Sequence, residues 1–443
     1  MIRTFLRALL LPAAAAAFVT PPAAAGDDPF PCPGPLQPGV SFWKDVFLRY
    51  DEDQIVFFDD HDWERVYEVH RIPTPDGTRA RERDRERSRA AIKERIIEDL
   101  EALAAPDVEY DSLIGRLYRL HMVWDGTRDP EVYAAAAERV RSQRGIRTGF
   151  LDGVARSTRF HDVFRRIFRE EGVPEDLVYL PHIESSYRWN ARSGVGAVGM
   201  WQFMASTGKR YLRIDDAVDE RLDPYEAARA AARHFRQAYE TVGTWPLTIT
   251  GYNQGMSSMV DAQRVLGTDD IVRVIREYRG PVFKFAGRNF YVEFLAARKA
   301  VEEILETNHG LELHEPVEFE SFELPAYVKL SRFAETFGVE RGTLRDLNLG
   351  MRAPVVRDTE WLPKGYAVKL PPGLAGDAHG RFASIPEAER PLVRPVRSYR
   401  VRNGDNLSGI ARRFKTSVRA LQELNRIHDA NHVRIGQLLR LPG

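Results

Sequence analysis

Leu180-Pro181-His182-Ile183-Glu184-Ser185-Ser186-Tyr187 reads as a short helix ending in an acid beside apolar and aromatic residues. Leu177, Leu180 and Glu184 share one helical face, so Glu184 points where the core residues point. A carboxyl held against apolar surface keeps its proton to higher pH and can act as a general acid near neutrality. A glycine-rich turn follows, Ser193-Gly194-Val195-Gly196-Ala197-Val198-Gly199-Met200-Trp201-Gln202-Phe203-Met204, and then a polar-aromatic segment, Gly251-Tyr252-Asn253-Gln254-Gly255. Taken alone, these residues leave a plainer role open for Glu184: a cap or a surface ion pair at a helix end.

Around this stretch the spacing predicts helices. Phe160, Val163, Phe164, Ile167 and Phe168 fall at i, i+3, i+4, i+7 and i+8, a full amphipathic stripe that should stop at Gly172 in a left-handed cap. Residues 131–144 also read as a helix, and the Arg, Glu and Asp run at 79–89 reads as the solvated start of a helix through Leu100. Residues 26–44, rich in Pro and Gly, are expected to be a linker, and 45–144 a helical N-terminal region.

The whole chain has 443 residues, with 64 Lys+Arg against 64 Asp+Glu, 43% hydrophobic and 29% charged. At about 150 residues per domain this is a multi-domain globular chain. A net charge of zero supplies no field to hold it on nucleic acid, so no nucleic-acid partner is expected. The single cysteine, Cys32, excludes an internal disulfide and a thiolate metal site. His161, His182 and His234 lack metal-like pairing, so neither a metal nor a cofactor is expected. Arg3 and Arg7 precede an apolar run from Ala8 to Val19, and Ala23-Ala24-Ala25 offers a small-x-small cleavage site. Residues 1–25 therefore read as a signal peptide. Their apolar run falls short of the roughly 20 residues of a membrane-spanning helix, and no later segment could span either. A lipid anchor would need a cysteine directly after the cleavage site, whereas Cys32 follows Pro29-Phe30-Pro31. The expectation is a soluble monomer exported to the periplasm or cell envelope.

Beyond residue 310 the chain repeats itself. Sliding 330–348 forward by 77 residues puts Leu330 on Leu407, Ser331 on Ser408, Ala334 on Ala411, Phe337 on Phe414, Leu344 on Leu421, Leu347 on Leu424 and Asn348 on Asn425. Gly365 and Leu370-Pro371 match Gly436 and Leu441-Pro442 at a shift of 71, so the first copy carries six extra residues, assigned to 352–360. The copies are bounded at 321–372 and 398–443, with 373–397 as a linker.

Three blocks in order, Glu184-Ser185, Gly199-Met200-Trp201-Gln202 and Gly251-Tyr252-Asn253-Gln254-Gly255, resemble the signature of the lytic murein transglycosylases, most closely the membrane-bound murein transglycosylase D subgroup. Gly251 stands where that family usually has alanine. The resemblance covers about 145–310 and implies a lysozyme-like α-helical catalytic domain. It also implies cleavage of the β-1,4 bond between N-acetylmuramic acid and N-acetylglucosamine, Glu184 first protonating the leaving oxygen and then deprotonating the C6 hydroxyl that closes a 1,6-anhydro ring. Ser193, Gln202, Met204, Tyr252 and Asn253 would line the glycan groove, although Met204 and Tyr252 are also good core residues. Residues 399–411 resemble the start of a LysM module, a β-α-α-β fold that binds glycans containing N-acetylglucosamine. That likeness implies glycan contacts at Gly404, Asp405, Asn406 and Leu407. In such a fold Asp405 can cap the first helix and Ser417 the second, whose Val418, Leu421 and Leu424 would face inward. The first copy has Tyr327-Val328 in place of Gly404-Asp405, which suggests a spacer. The fold class expected is mainly α, followed by small α+β repeats, with peptidoglycan glycan strands as the partner. Three rivals are a hydrolytic lysozyme, with Asp215, Asp216, Asp219 or Glu220 as its second acid, a non-catalytic peptidoglycan-binding protein, and a disordered-linked interaction protein with no sugar partner, which the full LysM pattern argues against.

Overall fold

The computed structural model describes residues 28–72, 82–307, 310–395, 398–414, 416–431 and 433–441. The export signal read in 1–25 lies outside them. Among the described residues no helix is long and apolar enough to cross a membrane.

After helix α1 (Gln37–Leu48), the unbroken apolar run Ile55-Val56-Phe57-Phe58 forms strand β1 (Gln54–Asp59), central in an antiparallel sheet between β2 (Val66–Arg71) and β3 (Val140–Arg144). Alternate strand residues point to opposite faces, and here both faces are buried. Ile55 and Phe57 join Ile92, Ile96, Leu100, Leu120 and Tyr133 from α2 (Glu82–Leu103), α3 (Gly115–Val123) and α4 (Pro130–Glu138). Val56 and Phe58 enter the main core with Phe42, Trp43 and Phe47 of α1. Two expectations change here. Residues 131–144 are not one helix, because α4 stops at Glu138 and 140–144 pairs with the second edge of β1. Between them Arg139 turns back, its Nε donating to both oxygens of the buried Asp59 carboxylate at 3.0 and 3.1 Å. The region 45–144 is therefore α+β. The linker expected at 26–44 is not one over its described part, 28–44: Phe30 is fully buried with its ring against Trp245 and Phe294. Pro38 opens α1 in the first turn, where a missing N–H costs nothing.

The first block lies on α7 (Leu180–Ser185) and the third on α10 (Trp245–Gln254), with the second in the turn between α7 and α8 (Ala205–Gly208); around them are α5 (Arg147–Ser157), α6 (His161–Glu170), α9 (Pro224–Val242), α11 (Met256–Leu266), α12 (Ile271–Glu277) and α13 (Phe285–Thr307). α6 buries Phe164, Ile167 and Phe168, and the chain turns at Gly172 with φ +72°, as its stripe predicted. Phe164, Phe168 and Phe235 surround Trp201 at the centre. α13 runs behind the site, packed on α1, α7 and α10.

The first C-terminal copy is β-α-α-β: β4 (Glu320–Glu323), α14 (Leu330–Phe337), α15 (Arg341–Leu347) and β5 (Ala367–Leu370), with α16 (Ala353–Val356) inside the extra residues. It is followed by α17 (Ala378–Ala383). The second copy repeats the order with β6 (Ser398–Arg400), α18 (Leu407–Arg413), α19 (Val418–Asn425) and β7 (Leu438–Arg440). The shared asparagine makes the same clamp in both. Asn348 Oδ1 accepts from Lys369 N while its Nδ2 donates to Leu344 O and Lys369 O, and Asn425 does the same with Arg440 and Leu421. The linker expected at 373–397 is overturned in its first half, since Ala378, Phe382 and Ile385 are buried in the first copy's core.

That copy is joined to the helical unit. Asp219 N donates to Gly350 O at 2.8 Å and Arg352 N to Ala217 O at 2.9 Å, around a bridge between Val218 and Met351. Lys369 Nζ donates to Asp223 Oδ2 at 2.6 Å, with the two side chains only 2% and 1% exposed. The other oxygen of Asp223 caps α9, accepting from Tyr225 N and Glu226 N.

Candidate active site

α7 ends abruptly, and that ending sets Glu184. Leu177 sits in a separate 3₁₀ turn, so the face predicted for Leu177, Leu180 and Glu184 survives only as Leu180 and Glu184, one turn apart on α7. Ser186 and Tyr187 follow at φ +49° and +58°, left-handed positions that cost non-glycine residues on the order of 1 kcal/mol each. Packing offsets that cost. Tyr187 is fully buried against Phe160, Phe164 and His182, and its hydroxyl donates to Val178 O. Ser185 Oγ donates to Met200 O at 2.8 Å and ties the helix end to the second block. Glu184 itself is half-buried and has no hydrogen-bond or ion-pair partner among the described residues. Burial pushes its carboxyl up to about 8. A helix-end cap or ion pair, the plainer role, is not what it makes.

In the second block, Gly199 has φ +87°, and a Cβ there would lie 1.8 Å from Arg221 O, so only glycine fits. Gln202, also left-handed at φ +48°, donates through Nε2 to Gly199 O at 2.7 Å. Ser193 Oγ accepts from Ala197 N at 2.9 Å and closes the preceding turn. Met204 is 41% exposed, which removes the core role open to it in the sequence. In the third block Tyr252 donates to Trp201 O and stacks on Phe235 at 4.8 Å. Burial, then the charge of Glu184, pushes its phenol well above the usual value. Gly251 lies inside α10, with Met256 Sδ 2.4 Å from where an alanine Cβ would be, so the departure from the family pattern has a packing reason. Asn253 is exposed at the end of α10. The hydrogen bonds of Ser185, Gln202 and Tyr252 thus all run to the backbone of 199–201, which ties the ends of α7 and α10 to the second block, whereas no hydrogen bond among the described residues links Ser193, Met204 or Asn253 to Glu184.

The four acids offered for hydrolysis are occupied elsewhere. Asp219 pairs with Arg221 and Arg352, and Asp216 with Arg394. Burial opposes the charge of Asp215, but Arg213 and the N–H groups of Ala217 and Val218 outweigh it and hold the carboxyl below its usual range. Glu220, pushed up to about 7 by burial, accepts from Arg213 N at 2.6 Å. The acid that does feel Glu184 is Glu293 of α13, missed in the sequence because it lies outside the three blocks. Its signal was an acid set within Phe290-Tyr291-Val292-Glu293-Phe294-Leu295-Ala296-Ala297. Burial lowers His161 and His234 to about 4 and His182 well below its usual value, so all three are neutral. Among the described residues no three His, Cys, Asp or Glu side chains converge.

In the last copy, Gly404 makes its turn at φ +83°. Asp405 does not cap α18; it accepts from Tyr399 Oη at 2.6 Å and Arg402 N at 2.8 Å, and Asn406 is the cap, accepting from Gly409 N at 2.7 Å. Leu407 is buried in the core, so its side chain is withdrawn from any ligand. Ser417 caps α19 as expected and Leu421 is buried, but Leu424 is 40% exposed.

Residues 163–271 match the family model described as the transglycosylase SLT domain, and 399–442 match that of the LysM domain. The membrane-bound lytic murein transglycosylase D of Escherichia coli strain K12 is 26% identical over 289 residues, 62% of this chain and 61% of that protein. The chain thus spans about three-fifths of the length of this relative. The N-acetylmuramoyl-L-alanine amidase XlyB of Bacillus subtilis strain 168 is 52% identical over 44 residues, 10% of this chain and 14% of that one. An inactive mutant of the lytic transglycosylase Slt from Pseudomonas aeruginosa aligns at TM-score 0.25 and 18% identity, over 35% of this chain and 25% of that one.

Proposed function

We propose that this chain is a peptidoglycan lytic transglycosylase, held on the cell wall by its LysM module and acting as an exported, envelope-associated monomer. The observation that carries this reading is the state of Glu184: a half-buried carboxyl without a partner among the described residues, protonated near neutrality and placed between the second and third blocks. Glu184 gives its proton to the glycosidic oxygen as the bond from C1 breaks. The resulting carboxylate takes the proton of the C6 hydroxyl of the same muramoyl sugar, whose oxygen closes on C1. An internal hydroxyl held at the reacting carbon replaces water. Gln202 and Tyr252 brace the groove behind Glu184, with Ser193, Met204 and Asn253 along its rim for the sugar. Gly404, Asp405 and Asn406 form the turn offered to glycan in the last copy. The export signal read at 1–25 and the match to the LysM domain support the envelope location.

Mass spectrometry of soluble products from purified sacculi tests the reading. Anhydro products, one water lighter than hydrolysed ones, are expected; reducing-end products would assign the site to a lysozyme, and no product to a binding protein.

A further inference from the structure

An open cleft of about 1280 Å³ lies where the helical unit meets the first C-terminal copy. The turn after α7 lines it from Trp189, five positions beyond Glu184, to Arg192, which adjoins Ser193. The loop before α9 contributes the pair Asp219 and Arg221, and the first copy contributes Arg352 and Arg357 from its extra residues. Phe414 and Thr416 of the last copy also line it. Pockets for small molecules hold about 300–1,000 Å³, so this cleft suits a piece of polymer. Trp189 is 37% exposed there and offers an apolar face.

The charge of the cleft is uneven. Five arginines and three aspartates line it, a net charge of 5 − 3 = +2 in a chain whose net charge is zero. All three aspartates are already paired. Asp219 lies 2.9 Å from Arg221 and 3.2 Å from Arg352, Asp346 is 2.9 Å from Arg345, and Asp216 faces Arg394 at 3.8 Å. The guanidiniums of Arg192 and Arg357, both exposed residues, have no hydrogen-bond or ion-pair partner among the described residues. A guanidinium takes a carboxylate through two parallel N–H donors. In peptidoglycan the sugar backbone is uncharged wherever its lactyl groups are in amide linkage, so the carboxylates belong to the stem peptides, which hang from the muramoyl sugar.

We propose that this cleft is a subsite for the stem peptide of peptidoglycan, with Arg192 and Arg357 binding its carboxylates while the sugar that bears it lies at Glu184. The proposal rests on the transglycosylase reading above. It gives the extra residues of the first copy a task in substrate binding, in place of the glycan turn which that copy lacks.

The probe is the free tetrapeptide stem, released from purified sacculi by an amidase, titrated with the full chain and followed by the broadening of its own NMR signals. It carries no sugar, so a module that reads glycan does not hold it. The wild-type chain should bind it, and Arg192→Gln/Arg357→Gln should bind it about tenfold more weakly, as should the wild-type chain once the peptide carboxylates are converted to amides. KM for soluble, uncrosslinked strands should rise by a similar factor in the double variant, and amidated strands should erase the difference from wild type. A peptide that binds variant and wild type alike, or neither, overturns the proposal, as does an amidated peptide that binds as well as the acidic one or a KM that does not move. Hydrolysed products, or none, from the wild-type chain would instead overturn the reaction assigned to Glu184, and the peptide titration, which needs no turnover, would still decide on the cleft.

Discussion

Glu184 carries two opposing consequences in one side chain. It takes part in both proton transfers, each typically worth about 10²–10⁴-fold, so Glu184→Gln should keep the fold and lose turnover by several orders of magnitude on sacculi. Its carboxyl binds a proton more tightly in the folded chain than in the unfolded one. Between its ordinary 4.5 and about 8 the folded state therefore holds more protons, and stability falls as pH rises through that window. Glu184→Gln removes this penalty. Denaturant melts should show the variant more stable than wild type at pH 8, by on the order of 1 kcal/mol, with the difference gone near pH 4. A second residue, Gly199, is fixed by space rather than chemistry. Gly199→Ala puts a Cβ into the Arg221 carbonyl and should cost more than about 3 kcal/mol or prevent folding, read from the denaturation midpoint. Gly255, at φ +88° and ψ +135° in open space, meets no clash, but a Cβ is strained in that backbone, so Gly255→Ala should cost about 2–3 kcal/mol. At this scale the sequence was most legible where a motif fixes order and spacing, as at Glu184. It was opaque at Glu293, which feels the charge of Glu184 only through the fold, the two lying 109 positions apart in the chain, 184 against 293.

Elements were legible where one face meets one core. The stripe of α6 and the cap of α19 needed only local spacing to be read. The strand at 140–144 was hidden because Val-Arg-Ser-Gln-Arg has little apolar alternation, and what makes it a strand is the open edge of β1. Residues 352–360 were visible only as an interruption of the repeat, yet they repair what the first copy lacks. α14 has no side-chain cap from Lys329, the residue in the cap position. Asp358, in the insertion and left-handed at φ +57°, accepts from Ser331 N at 3.0 Å through Oδ1, while its carbonyl takes Lys329 Nζ at 2.9 Å. The insertion thus supplies in space the cap that Asn406 supplies in sequence to the second copy. Asp358→Ala should lower stability by about 1 kcal/mol, as an ordinary cap loss does, with a matching fall in melting temperature and no change in binding to sacculi.

At the scale of the whole molecule the two copies differ in attachment more than in fold. The first shares a core with Ala217 and Val218, and its Lys369 closes a buried ion pair on Asp223 at the start of α9. A chain ending at residue 319 would open Asp223 to water without its Lys369 partner and would expose the apolar surface of Ala217 and Val218. It should melt at a lower temperature than the full-length chain, mainly from that exposed surface, and lose turnover with it. The second copy buries Val401, Leu407, Ile410, Ala411, Leu421, Leu439 and Leu441 among its own residues, and 386–395 before it contains no buried side chain. A chain ending at residue 395 should therefore melt with the full-length protein and cleave soluble glycan fragments at the full-length rate. What it should lose is retention on insoluble peptidoglycan. The first copy that it keeps has the clamp asparagine, but Tyr327-Val328 stands in place of the Gly404-Asp405 turn, and Val328 is buried. Co-sedimentation with sacculi separates these roles: a 1–395 chain that still sediments would assign wall binding to the first copy or to the groove of Glu184, and the separately cored second copy would then need another purpose.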